Sequence, residues 1–327
     1  MRTSPLRRRG RSIGTLFGLF NKQKGKPGLL GVSFVDGELA LAHMAPGYSG
    51  LELRLCQMLE ATSLQAAGAT LGTVVRREGL EQTRCNFMLA RDDYNLLLIE
   101  APPVEADELA SAAKWKIKDM IDRPLEQVAV AVFPVPATAY RGQRQMLYVV
   151  AADRKRVQQR VDLVTDAGLQ LEAIDIPELA LLNLSRHCLD DSEGLAMLDL
   201  RQGGGLINLS RDGDVYLTRH LNTRISKEMM GTPQWDSVRE RLVLEIRRTL
   251  DYYESQMGQT RISRLVLSPG GNPTETLVTQ LNEAMGVSVE MMNLEREFSA
   301  EGSLPGSLQY SCALAIGASL RPLGVAA

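Results

Sequence analysis

Two stretches of this chain share one pattern of alternating apolar and polar positions. Residues 29–34 read as a strand, Asp36-Gly37 as a tight turn, and residues 39–44 as a returning strand. A second turn, Pro46-Gly47-Tyr48-Ser49-Gly50, leads into a third strand over 51–58. Past the midpoint the pattern recurs. A strand at 195–200 is followed by the turn Gln202-Gly203-Gly204-Gly205, a strand at 206–210, the turn Asp212-Gly213 and a strand at 215–221. Asp-Gly and Gly-Gly between apolar runs mark hairpins, because these residues accept the positive φ that primed turns require. Two three-stranded meanders in one chain predict a duplicated α/β architecture.

Helical and strand periods alternate after each meander. The first is followed by a helix over 62–78, with Leu64, Leu71, Val74 and Val75 as its apolar stripe. Strands at 87–90 and 96–99 flank a polar turn at 91–95, in which Asp92 and Asp93 read as solvated. A helix beginning after Pro102-Pro103 has Glu105, Asp107 and Glu108 early and Lys114, Lys116 and Lys118 late, an order that suits the helix dipole. Its stripe is Leu109, Ala113, Ile117, Met120 and Ile121, and Pro124 ends it. Strands at 128–133 and 146–151, a helix capped by Asp153 and closed by Gly168, a strand at 171–174 and a helix after Pro177 complete the first half. The second half adds the longest helix, capped by Asp236 or Ser237 and reaching Gly258. Val238, Leu242, Ile246, Leu250, Tyr253 and Met257 keep its apolar side. A strand at 265–268, a helix over 274–285, a strand at 287–291 and a final helix over 309–320 follow.

Composition sets bounds without changing this picture. The 327 residues suffice for two cores, and 44% hydrophobic with 23% charged residues is ordinary for a globular chain. No apolar run approaches the roughly 18 residues of a membrane span. Cys56, Cys85, Cys188 and Cys312 have no CxxC spacing and read as reduced core thiols of a cytosolic protein. His43, His187 and His220 show no metal-binding spacing.

Charge changes more. Residues 1–26 hold eight basic side chains and no acid, so a net charge of −2 for the whole chain leaves −10 on the rest. An acidic body argues against nucleic acid as its partner. Within the arm, Ile13, Leu16, Phe17 and Phe20 fall at i, i+3, i+4 and i+7, one helical face. Arginines before them and lysines after make residues 1–27 read as an anchor on a membrane surface, with a plain tail as the simpler reading. A signal peptide is disfavoured, because the apolar core is short, broken by glycine and followed by lysines in place of a cleavage site.

Several segments resemble, in order, the PilM/FtsA branch of the actin-like ATPase superfold, and within it the PilM-type proteins of mannose-sensitive haemagglutinin pilus systems. Leu30-Gly31-Val32-Ser33 resembles the opening strand, and Glu108-Leu109 with Trp115 the helix of an inserted small subdomain. Val149-Val150-Ala151-Ala152 with Ala167-Gly168-Leu169 is similar to the return into the main lobe. Glu245-Ile246-Arg247-Arg248 through Tyr253 resembles the long helix, Leu267-Ser268-Pro269-Gly270-Gly271 the adenosine loop, and Ala315-Ile316-Gly317 through Arg321 the terminal helix. The resemblance implies an α/β chain of duplicated, ribonuclease H-like lobes. Lobe I comprises residues 28–91, 171–193 and 307–327, an inserted α+β subdomain residues 92–170, and lobe II residues 194–306.

It also implies a partner. PilM-type proteins sit under the inner membrane of Gram-negative bacteria and grip the cytoplasmic tail of a bitopic PilN-type protein, linking the pilus assembly platform to its motors. Leu109, Trp115, Val128, Val130 and Val132 are the residues expected to line that contact, where an exposed strand edge would supply main-chain hydrogen bonds.

The family's nucleotide chemistry is expected to be degraded. Its first phosphate loop places an Asp, a second Gly and a Lys where this chain has Ser33, Val35 and Ala40, and Glu38 adds repulsion toward phosphate. A hydroxyl does not replace a carboxylate's charge on Mg²⁺. The second loop keeps Asp199 and Gly203-Gly204-Gly205, yet Arg201 stands where glycine is usual. The adenosine loop keeps Gly270 and Gly271 with Pro269 before them. If ATP with Mg²⁺ binds, Asp199, Gly203, Gly204, Gly270 and Gly271 would hold it; the simpler reading is hairpin turns that need glycine for geometry.

The expectation is therefore a non-catalytic scaffold with no cofactor. Its rival is an active actin-like ATPase or nucleotide-dependent switch in pilus or type II secretion assembly. A GspL-type secretion protein is expected to continue into a transmembrane helix, and an FtsA-type protein to carry its amphipathic anchor at the C-terminus.

Overall fold

The computed structural model describes residues 25–48, 50–141, 144–269, 275–300 and 302–322. The arm with Ile13, Leu16, Phe17 and Phe20, and the loop with Gly270 and Gly271, lie outside the described residues.

The first meander is formed by β1 (Leu29–Val35), β2 (Glu38–Pro46) and β3 (Leu51–Glu60). Asp36 and Gly37, at φ of 52° and 83°, make the two-residue turn that the sequence predicts. Helix α1 (Leu64–Glu78) starts on Ser63, whose hydroxyl accepts from the Ala66 N–H, and stops at Gly79 in the left-handed region. β4 (Arg84–Met88) then lies parallel to β1.

The insert follows. It has β5 (Tyr94–Glu100), α2 (Leu109–Lys116), β6 (Val128–Pro134) and β7 (Met146–Asp153), in the sheet order β5-β7-β6. Helix α2 ends earlier than its apolar stripe predicts. The chain tightens into a 3₁₀ turn over Lys118–Met120, and the changed pitch swings Met120 into solvent. Helix α3 (Arg154–Asp166) begins on Asp153, which accepts from the Lys155 and Arg156 N–H groups, and leads to β8 (Gln170–Asp175) beside β4.

Helix α4 (Pro177–Cys188) crosses to the second meander, β9 (Leu195–Arg201), β10 (Gly204–Arg211) and β11 (Asp214–Leu221). The long α5 (Trp235–Ser255) begins before the expected Asp236 or Ser237 cap, on Gln234. Trp235 is buried and donates to Gln280 Oε1 at 3.0 Å, so its packing draws the start of the helix back. Next come β12 (Arg264–Leu267), α6 (Glu275–Met285), β13 (Ser288–Met291), a four-residue α7 (Leu294–Glu297), β14 (Ser299–Ala300) and α8 (Gly306–Ser319).

The sheet orders are β14-β3-β2-β1-β4-β8 and β11-β10-β9-β12-β13. Apart from the short β14, each is an antiparallel meander continued by two parallel strands in the same order, so the duplication read from the turns extends to the whole sheet. Helices α4 and α8 pack against each other, and their buried residues share one core with β2, β9 and β12. Gly31 and Gly317 permit this packing. A Cβ on Gly31 would run into the Ala315 carbonyl, and one on Gly317 into the Ala180 carbonyl. Gly31 therefore serves helix packing in this chain.

Candidate functional site

Both meanders turn toward one cleft of about 450 Å³, lined by Val35, Asp36, Arg91, Asp199, Gly203–Gly205 and His220 among others. Asp199 lies on β9, opposite Leu206 of β10, and is only 3% exposed. Its charge is already answered. Arg201, two residues on, donates from Nε to Asp199 Oδ2 at 2.8 Å and from Nη2 to the Tyr310 carbonyl at 3.3 Å. The Arg201 guanidinium also lies 4.9 Å from the centre of the Tyr310 ring, a cation–π distance. Burial is the largest influence and works against the charged Arg201, but the Asp199 charge, its hydrogen bond, and Tyr310 and Glu38 together outweigh it and raise the pKa further.

In this arrangement Arg201 already holds one of the two Asp199 oxygens on which a magnesium nucleotide would draw. Mg²⁺ is bound through carboxylate oxygens together with waters and phosphate, and Asp199 has one oxygen on a guanidinium and the other buried without a partner. Among the described residues no group of three or more His, Cys, Asp or Glu side chains is placed to hold a metal. In the first hairpin, Ser33 is buried and Val35 lines the cleft mouth. Gly204 sits at φ +133°, where a Cβ would meet the Leu221 carbonyl at 2.7 Å, so hairpin geometry alone accounts for that glycine. A Cβ on Gly203 would meet nothing within 4 Å.

Beside the cleft is a polar junction that the sequence did not disclose. Glu178 of α4 is fully buried; Tyr94 Oη donates to its Oε2 at 2.6 Å, and His220 Nε2 lies 2.9 Å from its Oε1. Arg91 Nε donates to His220 Nδ1 at 2.7 Å, so Nδ1 is the accepting nitrogen, and Nε2, though close to Glu178, makes no hydrogen bond to it. Burial, then the Glu178 charge, raises the Tyr94 pKa. One carboxylate thus joins the insert, lobe I and lobe II. Asp93 is also buried, contrary to the solvated turn expected: Arg156 and Arg160 each donate to it at 2.8 Å. Asp92 remains exposed.

The insert has two occupied faces. Under α2, Val128, Val130, Val132 and Leu109 pack with Ala113, Ile117 and Val149. Trp115 lies on the opposite side of α2 and is 69% exposed. Leu109 and the three valines are therefore brought together, and Trp115 is not among them, because positions 113 and 115 are about 200° apart on a helix. The other sheet face, with Leu96, Leu98, Phe133 and Tyr148, packs on lobe II, where Tyr148 Oη accepts from the Thr218 N–H at 3.0 Å.

What the insert leaves open is an edge. β6 is the outer strand, paired only with β7. The Val135 N–H bonds to the Met146 carbonyl, which turns odd-numbered residues of β6 toward β7 and even-numbered ones outward. The Val128 carbonyl is accordingly turned out, where Lys114 Nζ and Arg154 Nη2 donate to it at 3.1 and 3.3 Å. Val130 and Val132 turn their N–H and C=O groups the same way, and no strand lies against them among the described residues. A separate hollow of about 380 Å³ lies within the insert, lined by Asp92, Asn95, Ile121, Arg123, Asp153 and Arg156.

No protein-family model matches this sequence, and no curated protein matches it. Solved structures do. A PilM–PilN type IV pilus biogenesis complex is 19% identical, with a TM-score of 0.68 over 89% of this chain and 97% of that one. A Bacteroides thetaiotaomicron protein of actin-like ATPase fold and unknown function is 13% identical, with a TM-score of 0.49 over 86% and 96% of the chains. The cytoplasmic domain of EpsL, an inner-membrane component of the Vibrio cholerae type II secretion system, is 14% identical, with a TM-score of 0.49 over 87% and 93%. The fold is the two-lobed actin-like fold. No described helix is long and apolar enough to cross a membrane.

Proposed function

We propose that this chain is a non-catalytic scaffold of a type IV pilus assembly platform, an MshI-type relative of PilM that works on the cytoplasmic face of a Gram-negative inner membrane. The observation that carries the reading is the likeness to the PilM–PilN complex, which spans 97% of that chain at a TM-score of 0.68. The partner is the short cytoplasmic tail of a bitopic PilN-type protein. The outward-facing backbone of β6 suits an extended peptide added as a fourth strand, and the hollow within the insert, which Val128 also lines, suits its flanking polar residues. The basic arm, outside the described residues, would hold the assembly on anionic lipid, with an assembly motor as a further partner.

The alternative is a nucleotide-driven switch, favoured by the retained Asp199 and the glycine turn beside it. The ion pair of Asp199 with Arg201 weighs against it. Two titrations of the purified full chain separate the readings. The scaffold reading expects saturable binding of a synthetic PilN-type tail peptide that is indifferent to ATP. Failure of the peptide to bind, or ATP hydrolysis lost on Asp199→Asn, would overturn it.

A further inference from the structure

The contacts of Arg201 cross the cleft. Asp199 belongs to β9 of lobe II, whereas Tyr310 belongs to α8, which packs on β1, β2, β3 and β4 of lobe I. One guanidinium therefore makes a charge-assisted bond to one lobe, and a carbonyl bond and a ring contact to the other. Near it, where the two first hairpins approach, Glu38, Gln202, Tyr310 and Ser311 line a cavity of about 110 Å³, and the Ser311 hydroxyl donates to Glu38 at 3.0 Å. The cation thus sits in an acidic surround made by both lobes.

We infer that Arg201 is a built-in cation that ties lobe II to α8 of lobe I, adding a polar tie to the apolar core they share, so that this arrangement of the lobes needs no bound ligand. Arginine suits the task, since it stays charged at all working pH values and its planar fork serves two acceptors at once. A bond to Asp199 alone would be a local pair within one strand end. The two contacts to Tyr310 make it a tie between lobes. The inference rests on the reading of the cleft as one that works without nucleotide.

Hydrogen–deuterium exchange of the full chain tests it, with Arg201→Ala, Arg201→Lys and the double variant Asp199→Asn/Arg201→Ala. The tie predicts that Arg201→Ala and the double variant speed exchange about tenfold at both 199–205 and 306–314, with Arg201→Lys between them and the wild type. If Arg201→Ala is globally unstable because Asp199 is left buried and unpaired, the double variant, which leaves no such charge, decides. Acceleration confined to 199–205, or none at either segment, would overturn the tie. ATP is absent from these samples. Stabilisation of the wild type by ATP in a separate melt would count against the scaffold reading and leave the exchange result to judge the tie alone.

Discussion

Replacing Val130 by proline gives the sharpest test of β6 as the docking edge. The Val130 N–H faces outward, so a proline removes a donor that no neighbouring strand uses. Its fixed φ stays within the extended region, and loss of part of a half-buried valine costs the fold about 1 kcal/mol. An added peptide strand loses more. One main-chain hydrogen bond is worth about 0.5–1.5 kcal/mol, and a peptide carbonyl left facing a proline ring adds about 1–3 kcal/mol. The expected outcome is a roughly 10- to 1,000-fold rise in Kd for a PilN-type tail peptide, read by fluorescence anisotropy, with a melting curve close to wild type. Ala131→Pro is the contrasting variant. Ala131 faces β7 opposite Val150, so proline there breaks the ladder and should unfold the insert. Wild-type peptide affinity in a well-folded Val130→Pro protein would refute strand addition at this edge.

Other outcomes follow from the same structure. Millimolar ATP with Mg²⁺ should leave the melting temperature unchanged, whereas ligand at a hundred times its Kd would add about 2.7 kcal/mol, which calorimetry would register. Gly317→Ala should cost about 1–3 kcal/mol in urea unfolding, since its Cβ would push α8 off the Ala180 carbonyl; an unchanged midpoint would contradict so close a crossing. Removal of residues 1–24 should abolish sedimentation with anionic vesicles yet preserve the melting temperature, because Lys26 keeps its bonds to Thr83 and to the Glu78 carbonyl. His43 is buried, and burial lowers its pKa below 6.5 despite the bond to the Pro27 carbonyl. The unfolded chain therefore binds this proton first, and stability should fall as pH drops below 6.5; urea midpoints of His43→Gln should show a flatter slope there.

Local geometry was legible wherever one residue type answers one backbone need. Asp36-Gly37 and Asp212-Gly213 occupy the positive-φ turns that their dipeptides predict, and Asp153 caps α3. Helix α8 was legible as a helix but not as the hub of the molecule. Nearly every residue from Ser311 to Ser319 is buried, so it has no polar face from which to read an orientation. The cleft was hidden for another reason. Arg201 was conspicuous in a glycine position, but its meaning depends on Tyr310, which lies 109 residues away. Tyr94, Glu178 and His220 meet from three elements, and no spacing along the chain foretells that. The opposed faces of α2 were available from its period, since Leu109 and Trp115 are six residues apart.

The burial of α8 against the first-made sheet also governs how the protein can be made. Asn86 of β4 donates to the Ala318 carbonyl at 2.9 Å, across 232 residues. At translation rates of about 5–20 residues per second, the apolar face of the N-terminal sheet waits roughly 10–50 s on the ribosome for the helix that covers it. The face of that sheet beneath α8 cannot reach its final packing before then. A messenger cut short of residue 306 would thus yield an aggregation-prone fragment, and holding chaperones should engage the nascent chain until α8 emerges.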